Sequence, residues 1–126
     1  MKMQADRPEG TNAITRHGTE GVIVGGVEHR ASVLVPWCGD VVRWPVANFE
    51  ALDEASFETV MALSPELVIL GSGSRLRFPK PALLKALMAR RIGFETMDTP
   101  AACRTYNVLL AEGRAVVAAL IFERGG

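Results

Sequence analysis

Two cysteines, two histidines and one tyrosine are all that 126 residues offer of the side chains most used for redox, metal and proton chemistry. Cys38 and Cys103 have no CxxC spacing and no flanking histidines, so zinc has no regular ligand set among Cys and His. Both read as reduced thiols of a cytosolic protein, Cys103 as helix packing. His17 and His29 lie far in sequence from any nucleophile. No Gly-x-Ser-x-Gly elbow occurs, because Gly71-Ser72-Gly73-Ser74-Arg75 has no glycine at its fifth position. Charge of one sign is also missing in excess: Lys plus Arg equals Asp plus Glu, 14 each. A dedicated nucleic-acid binder is basic, since phosphate neutralisation dominates that affinity, so no nucleic-acid partner is expected. No run approaches the roughly 20 apolar residues needed to span a bilayer, so no transmembrane segment is expected. The first ten residues lack an apolar signal core, and their acids and Pro8 disfavour a mitochondrial transit peptide. The expectation is a cytoplasmic, bacterial protein. Internal repeats and low-complexity tracts are absent.

What is present is ordinary globular material, 48% apolar and 22% charged. The chain reads as a flexible leader over 1–12, with Pro8 and Gly10, followed by one domain over 13–126. Residues 13–17 suit a short edge strand, and Val22-Ile23-Val24 lies between glycine turns. From Val27 to Val35 the pattern alternates as one strand with a single buried face, ended by Pro36. Val41 to Trp44 starts another strand, and 13–44 reads as an antiparallel meander. Trp37 and Trp44 flank its last turn.

Asp53 caps a helix over 54–63 that buries Phe57, Val60, Met61 and Leu63. Leu67-Val68-Ile69-Leu70 fits a strand covered on both faces. Residues 80–91 suit a helix with Leu83, Leu84, Leu87 and Met88 on one stripe, Arg90 and Arg91 at its end and Gly93 as its stop. After a strand to Met97, Asp98 reads as a helix-start acid and Thr99 as the N-cap, with Pro100 at the first helical position. Ala102, Tyr106, Leu109 and Leu110 should face a sheet, and Gly113 ends the helix. A valine- and alanine-rich strand closes the chain over 115–122. Strands separated by helices require crossovers, which implies an α/β domain with a mixed central sheet, helices outside and the meander as an N-terminal extension.

Two places carry candidate chemistry. Gly71-Ser72-Gly73-Ser74-Arg75-Leu76-Arg77-Phe78-Pro79-Lys80 follows a buried strand, where open α/β sheets bind ligands. Its glycines and amides suit an anion, with Arg75, Arg77 and Lys80 adding charge. It is not a dinucleotide fingerprint, because position 76 is leucine, and it has no Gly-Lys-Ser/Thr ending. The second place is the helix after Thr99. Arg104 and Asn107 share a face and either hold carbonyls of the 71–79 loop or line a polar pocket with Ser72, Ser74 and Tyr106.

The stretches Leu67–Gly73, Gly93–Ala102 and Arg104-Thr105-Tyr106-Asn107 through Arg114 to Ile121 resemble a specific family. It includes mitochondrial respiratory complex I assembly factor 3 and the adipogenesis-associated, Mth-type domain proteins. Ser32 to Pro36 and Trp44 match its N-terminal half more loosely. The resemblance implies a three-layer fold and no established enzymatic chemistry or cofactor. It places Gly71, Ser72, Gly73, Thr99, Arg104, Tyr106 and Asn107 around a pocket. The resulting expectation is a non-enzymatic, assembly-factor-like module with a protein partner. A homodimer through an exposed edge of the meander is compatible with the residues. The alternative is a small-molecule or anion-binding domain with its pocket at the 71–80 loop and weak enzymatic activity.

Overall fold

The computed structural model describes residues 10–123. Two sheets form. Strands β1 (Ile14–His17), β2 (Val22–Val24) and β3 (Val27–His29) make an antiparallel meander in that order. Strands β4 (Val33–Pro36), β5 (Val42–Arg43), β6 (Leu67–Gly71), β7 (Gly93–Met97) and β8 (Val116–Leu120) make a five-stranded mixed sheet in the order β5-β4-β8-β6-β7. β4 runs antiparallel to β5 and β8, whereas β6 runs parallel to β7 and β8. Three helices follow the sequence pattern: α1 (Glu54–Met61), α2 (Lys85–Ala89) and α3 (Thr99–Ala111).

Successive side chains of a strand point to opposite faces, and β8 shows how this builds three layers. Val116, Ala118 and Leu120 face one cluster with Val33, Val35 and Ile69 of the sheet. Ala102, Cys103 and Tyr106 of α3 and Ile14, Val22 and Val24 of the meander close over it. Val117, Ala119 and Ile121 face the opposite cluster with Leu34, Val68 and Leu70, covered by Trp44, Phe57, Val60 and Leu87. All five residues of β6 and of β8 are buried, as the continuous apolar runs require. Phe57 sits edge-on between Trp44 and Phe94, with ring centroids 6.4 and 6.2 Å away.

Four local expectations change. The single strand over 27–35 is two strands in different sheets. Ser32 separates them: its hydroxyl accepts from the Phe122 amide and its carbonyl accepts from the Trp44 amide, which steers β4 into the central sheet. There Val33, Leu34 and Val35 are all buried, so both faces are covered. The 80–91 helix is a 3-10 turn, Pro81–Leu84, followed by the short α2, and Met88 is 70% exposed rather than part of the stripe. Its stop is Arg91, at φ +58, with Arg91 and Ile92 amides donating to the Met88 and Leu87 carbonyls. Asp98 is the N-cap of α3, accepting from the Ala101 amide, which places Thr99 and Pro100 inside the helix.

The expected leader lies outside the described residues up to position 9. Asn12 is tied down: its amide donates to the Trp37 carbonyl, and its side chain donates to the Pro36 and Gly39 carbonyls.

Candidate functional site

β6 and β8 end side by side against the start of α3, and the glycine loop leaves from this junction. A side chain at Gly71 would lie 2.9 Å from Thr99 Oγ1 and 3.1 Å from Leu120 Cδ2, so only glycine lets helix and strand approach this closely. Thr99 is buried, and its hydroxyl works in both directions. It accepts from the Gly73 amide at 2.9 Å and donates to the Ile121 carbonyl at 3.0 Å. The Thr99 amide in turn donates to the Gly73 carbonyl. Gly73 has φ +108, a conformation that glycine adopts at little cost.

Ser72 is fully buried and organises the loop that follows. Its hydroxyl lies 2.7 Å from the Arg75 carbonyl and 3.0 Å from that of Met97, and accepts from the Arg77 amide. Arg77 folds back over this loop. Its Nη2 donates to the Ser72 carbonyl and to Glu123 Oε1, both at 2.7 Å, and Nη1 lies 3.4 Å from Glu50. The Phe49 ring lies under the guanidinium, 4.9 Å away. The other oxygen of Glu123 accepts from the Phe49 amide. Burial raises the Glu123 carboxyl, but the Phe49 amide and the Arg77 guanidinium outweigh it and hold the group below its ordinary range.

A cleft of about 230 Å3 opens at this junction, lined by Gly18, Thr19, Gly73, Ser74, Thr99, Pro100 and Ile121 to Glu123. Of the sequence-predicted residues, Gly71, Ser72, Gly73, Ser74, Arg75, Arg77 and Thr99 therefore do cluster at one end of the sheet. Arg104, Tyr106 and Asn107 do not join them. Arg104 is exposed. The Tyr106 hydroxyl lies between the Asn12 and Pro36 carbonyls, at 2.8 and 3.0 Å. Asn107 uses both ends of its amide on Ile14, accepting from the backbone N–H and donating to the carbonyl. These two side chains stitch the meander onto α3, and the 71–79 loop is held instead by Thr99 and Arg77. Burial pushes the Tyr106 hydroxyl well above its ordinary range, with Cys38 adding to the rise, so it stays protonated as a donor.

Glu123 is the residue that sequence reasoning missed. It follows the last strand with no local motif, and only the sheet brings it to Arg77, 46 positions earlier. Among the described residues no group of three or more His, Cys, Asp or Glu could hold a metal, and no helix is long and apolar enough to cross a membrane.

Known proteins share this framework. A crystal structure from Bordetella parapertussis superposes with a TM-score of 0.86 at 34% identity, covering 92% of this chain and all of that one. A Bordetella pertussis protein described as a Mth938-like domain superposes at 0.83 with 28% identity, covering 98% and 93%. NADH dehydrogenase (ubiquinone) 1 alpha subcomplex assembly factor 3 of Bos taurus is 42% identical over 88 residues, 68% of this chain. The chain spans 48% of that relative's length. With a family profile matching residues 14–121, and with the junction of β6, β8 and α3 inside that span, the chain belongs to the family described as "Protein of unknown function (DUF498/DUF598)".

Proposed function

We propose that the chain is an assembly-factor-like module that binds a protein partner and performs no reaction of its own. The observation that carries this reading is how the polar groups at the junction are used. The hydroxyls of Ser72, Thr99 and Tyr106 and the amide of Asn107 all engage backbone groups. They brace loop, helix and meander. A group committed to a buried backbone partner must break that bond to serve a substrate, at a cost of about 1–3 kcal/mol. The kinship with proteins named as complex I assembly factors supports the same reading. Affinity purification of the full chain at native expression, with chemical crosslinking beforehand, tests it. A reproducible, saturable protein partner is the expected result. A chain recovered only free, with turnover of a small molecule, overturns it.

The second reading, a small-molecule or anion site at the 71–80 loop, has one observation in its favour, the cleft beside Ser74 and Thr99. Arg77 is neutralised by Glu123 and Glu50, which leaves the exposed Arg75 and Lys80 for an anion. A thermal-shift screen against phosphate, sulfate and nucleotides, repeated with Arg75→Ala/Lys80→Ala, separates the two readings. A stabilising anion whose effect disappears in the variant favours the site.

A further inference from the structure

The chain is neutral overall, but its charge is unevenly placed. No acid lies between Glu66 and Glu95, and that interval holds six of the fourteen lysines and arginines. Arg77 is turned inward to Glu123. The other five, Arg75, Lys80, Lys85, Arg90 and Arg91, are exposed. The same interval presents Leu76, Phe78 and Met88 at 51, 72 and 70% exposure. Phe78 and Met88, with Pro81, Leu84 and Phe94, line a groove of about 370 Å3 whose one acid is Glu95.

That groove runs beside β7, the edge strand of the central sheet. The Gly93 amide donates to Glu66 and the Met97 carbonyl accepts from Ser72, so residues 93, 95 and 97 direct their backbone groups inward. N–H and C=O of one strand residue point the same way and alternate along the strand. Phe94 and Thr96 therefore direct theirs outward, off the edge of the sheet. An open edge with an apolar groove alongside is the arrangement used for strand addition, where backbone bonds supply affinity and pockets take alternate side chains.

We infer that this edge docks an extended, acidic segment of the protein partner, which adds as a strand to β7 and seats apolar side chains against Phe78 and Met88. The inference rests on the module reading above and names its surface. Charge selects the occupant. Lys80 and Lys85 are exposed and directly follow Pro79 and Leu84 of the groove lining, so two copies of this face would set cation against cation, which disfavours self-association, and an acidic strand meets them with opposite sign. The concave groove and the outward backbone groups suit a polypeptide better than a bilayer, which offers no ladder of hydrogen bonds.

The test places p-benzoylphenylalanine at Phe78 or Met88 of the full chain in cells, with Val108 and Val27, exposed on α3 and β3, as control positions. Crosslinked peptides are then identified by mass spectrometry. The expected result is a crosslink from 78 and 88 to a net-negative segment. It should fall about fivefold or more in Lys80→Glu/Lys85→Glu, whose fold is checked by thermal melting. Phe78→Ser, tested with the probe at Met88, should reduce it as well. A crosslink from 78 or 88 to lipid, to a second copy or to a basic segment overturns the inference, as does one unaffected by charge reversal. Crosslinks to protein from Val108 or Val27 alone overturn this surface and leave the module reading standing. No protein crosslink from 78 or 88, with a partner still recovered by affinity purification, overturns this surface and leaves the module reading standing, whereas neither crosslink nor recovered partner defeats both.

Discussion

Thr99 Oγ1 sits between the Gly73 amide and the Ile121 carbonyl, 2.9 and 3.0 Å away, and so joins the glycine loop, the start of α3 and the end of the central strand. Valine has nearly the same shape and neither bond. Thr99→Val leaves a buried donor and a buried acceptor unpaired and should destabilise by about 2–4 kcal/mol. Thr99→Ser, which keeps the hydroxyl, should lose clearly less. Denaturant unfolding of the two variants checks the difference. Equal losses would mean that the methyl packing, not the hydroxyl, matters.

The pairing of Arg77 with Glu123 predicts an acid-sensitive stability. The Glu123 carboxyl is lowered in the folded protein from an ordinary value of 4.5. Its contribution is therefore present above that value and is lost as pH falls through the lower folded one. Melting temperature should drop more steeply below about pH 4.5 in the wild-type chain than in Glu123→Gln. The variant should be less stable at neutral pH, by about 1–3 kcal/mol. Parallel acid limbs in the two proteins would remove Glu123 from this role.

Gly73→Ala should be among the most damaging small substitutions. The new methyl carbon would lie 2.6 Å from Arg77 Nη2, in a backbone conformation that L-residues rarely adopt. About 2–4 kcal/mol is expected from strain and a displaced guanidinium. Gly25→Ala provides the control, since φ is also positive there but nothing lies within 4 Å.

Tyr106→Phe and Asn107→Ala should loosen the meander without dissolving the central sheet. Tyr106→Phe loses the hydroxyl that meets the Asn12 and Pro36 carbonyls, and Asn107→Ala loses both bonds to Ile14. Each should cost about 1–2 kcal/mol. Hydrogen exchange should speed in β1 and β2 more than in β6 and β8. Uniform acceleration across both sheets would show that the two layers unfold as one.

Thiol chemistry should divide cleanly. Cys38 is exposed, whereas Cys103 is buried in the α3 face of the core. Burial pushes its thiol up to about 12, although the neighbouring Arg104 pulls the other way. Iodoacetamide at pH 8 should label Cys38 alone in the native chain and both cysteines in denaturant, as peptide mass spectrometry would report.

Much of this fold was legible in the linear chain. The apolar runs at 67–70 and 116–121 allow a buried strand and little else, and both are fully buried. Asp53 caps α1 with a reciprocal bond to Ser56, and Gly113 ends α3 where the pattern predicted. These features act within one or two turns of backbone, so sequence spacing alone specifies them. The split at Ser32 was not legible, because alternation continues through it, and its cause is the Phe122 amide arriving from the other end of the chain. Met88 was misread for a similar reason: helical spacing marks a stripe but not how wide a stripe the sheet covers.

The sequence by itself determined which segments are strands or helices, where most of them stop, and that helices cover a mixed sheet. It also identified a glycine loop at the end of a buried strand as a place of interest. Only the tertiary structure decided what the polar residues there are for. A hydroxyl or amide binds whichever backbone group the fold delivers to it. The partner of Asn107 lies 93 positions away and that of Arg77 lies 46 away, beyond any local rule. Folding turned Thr99, Tyr106 and Asn107 inward as braces and left Phe78 and Met88 outside, beside the edge strand β7.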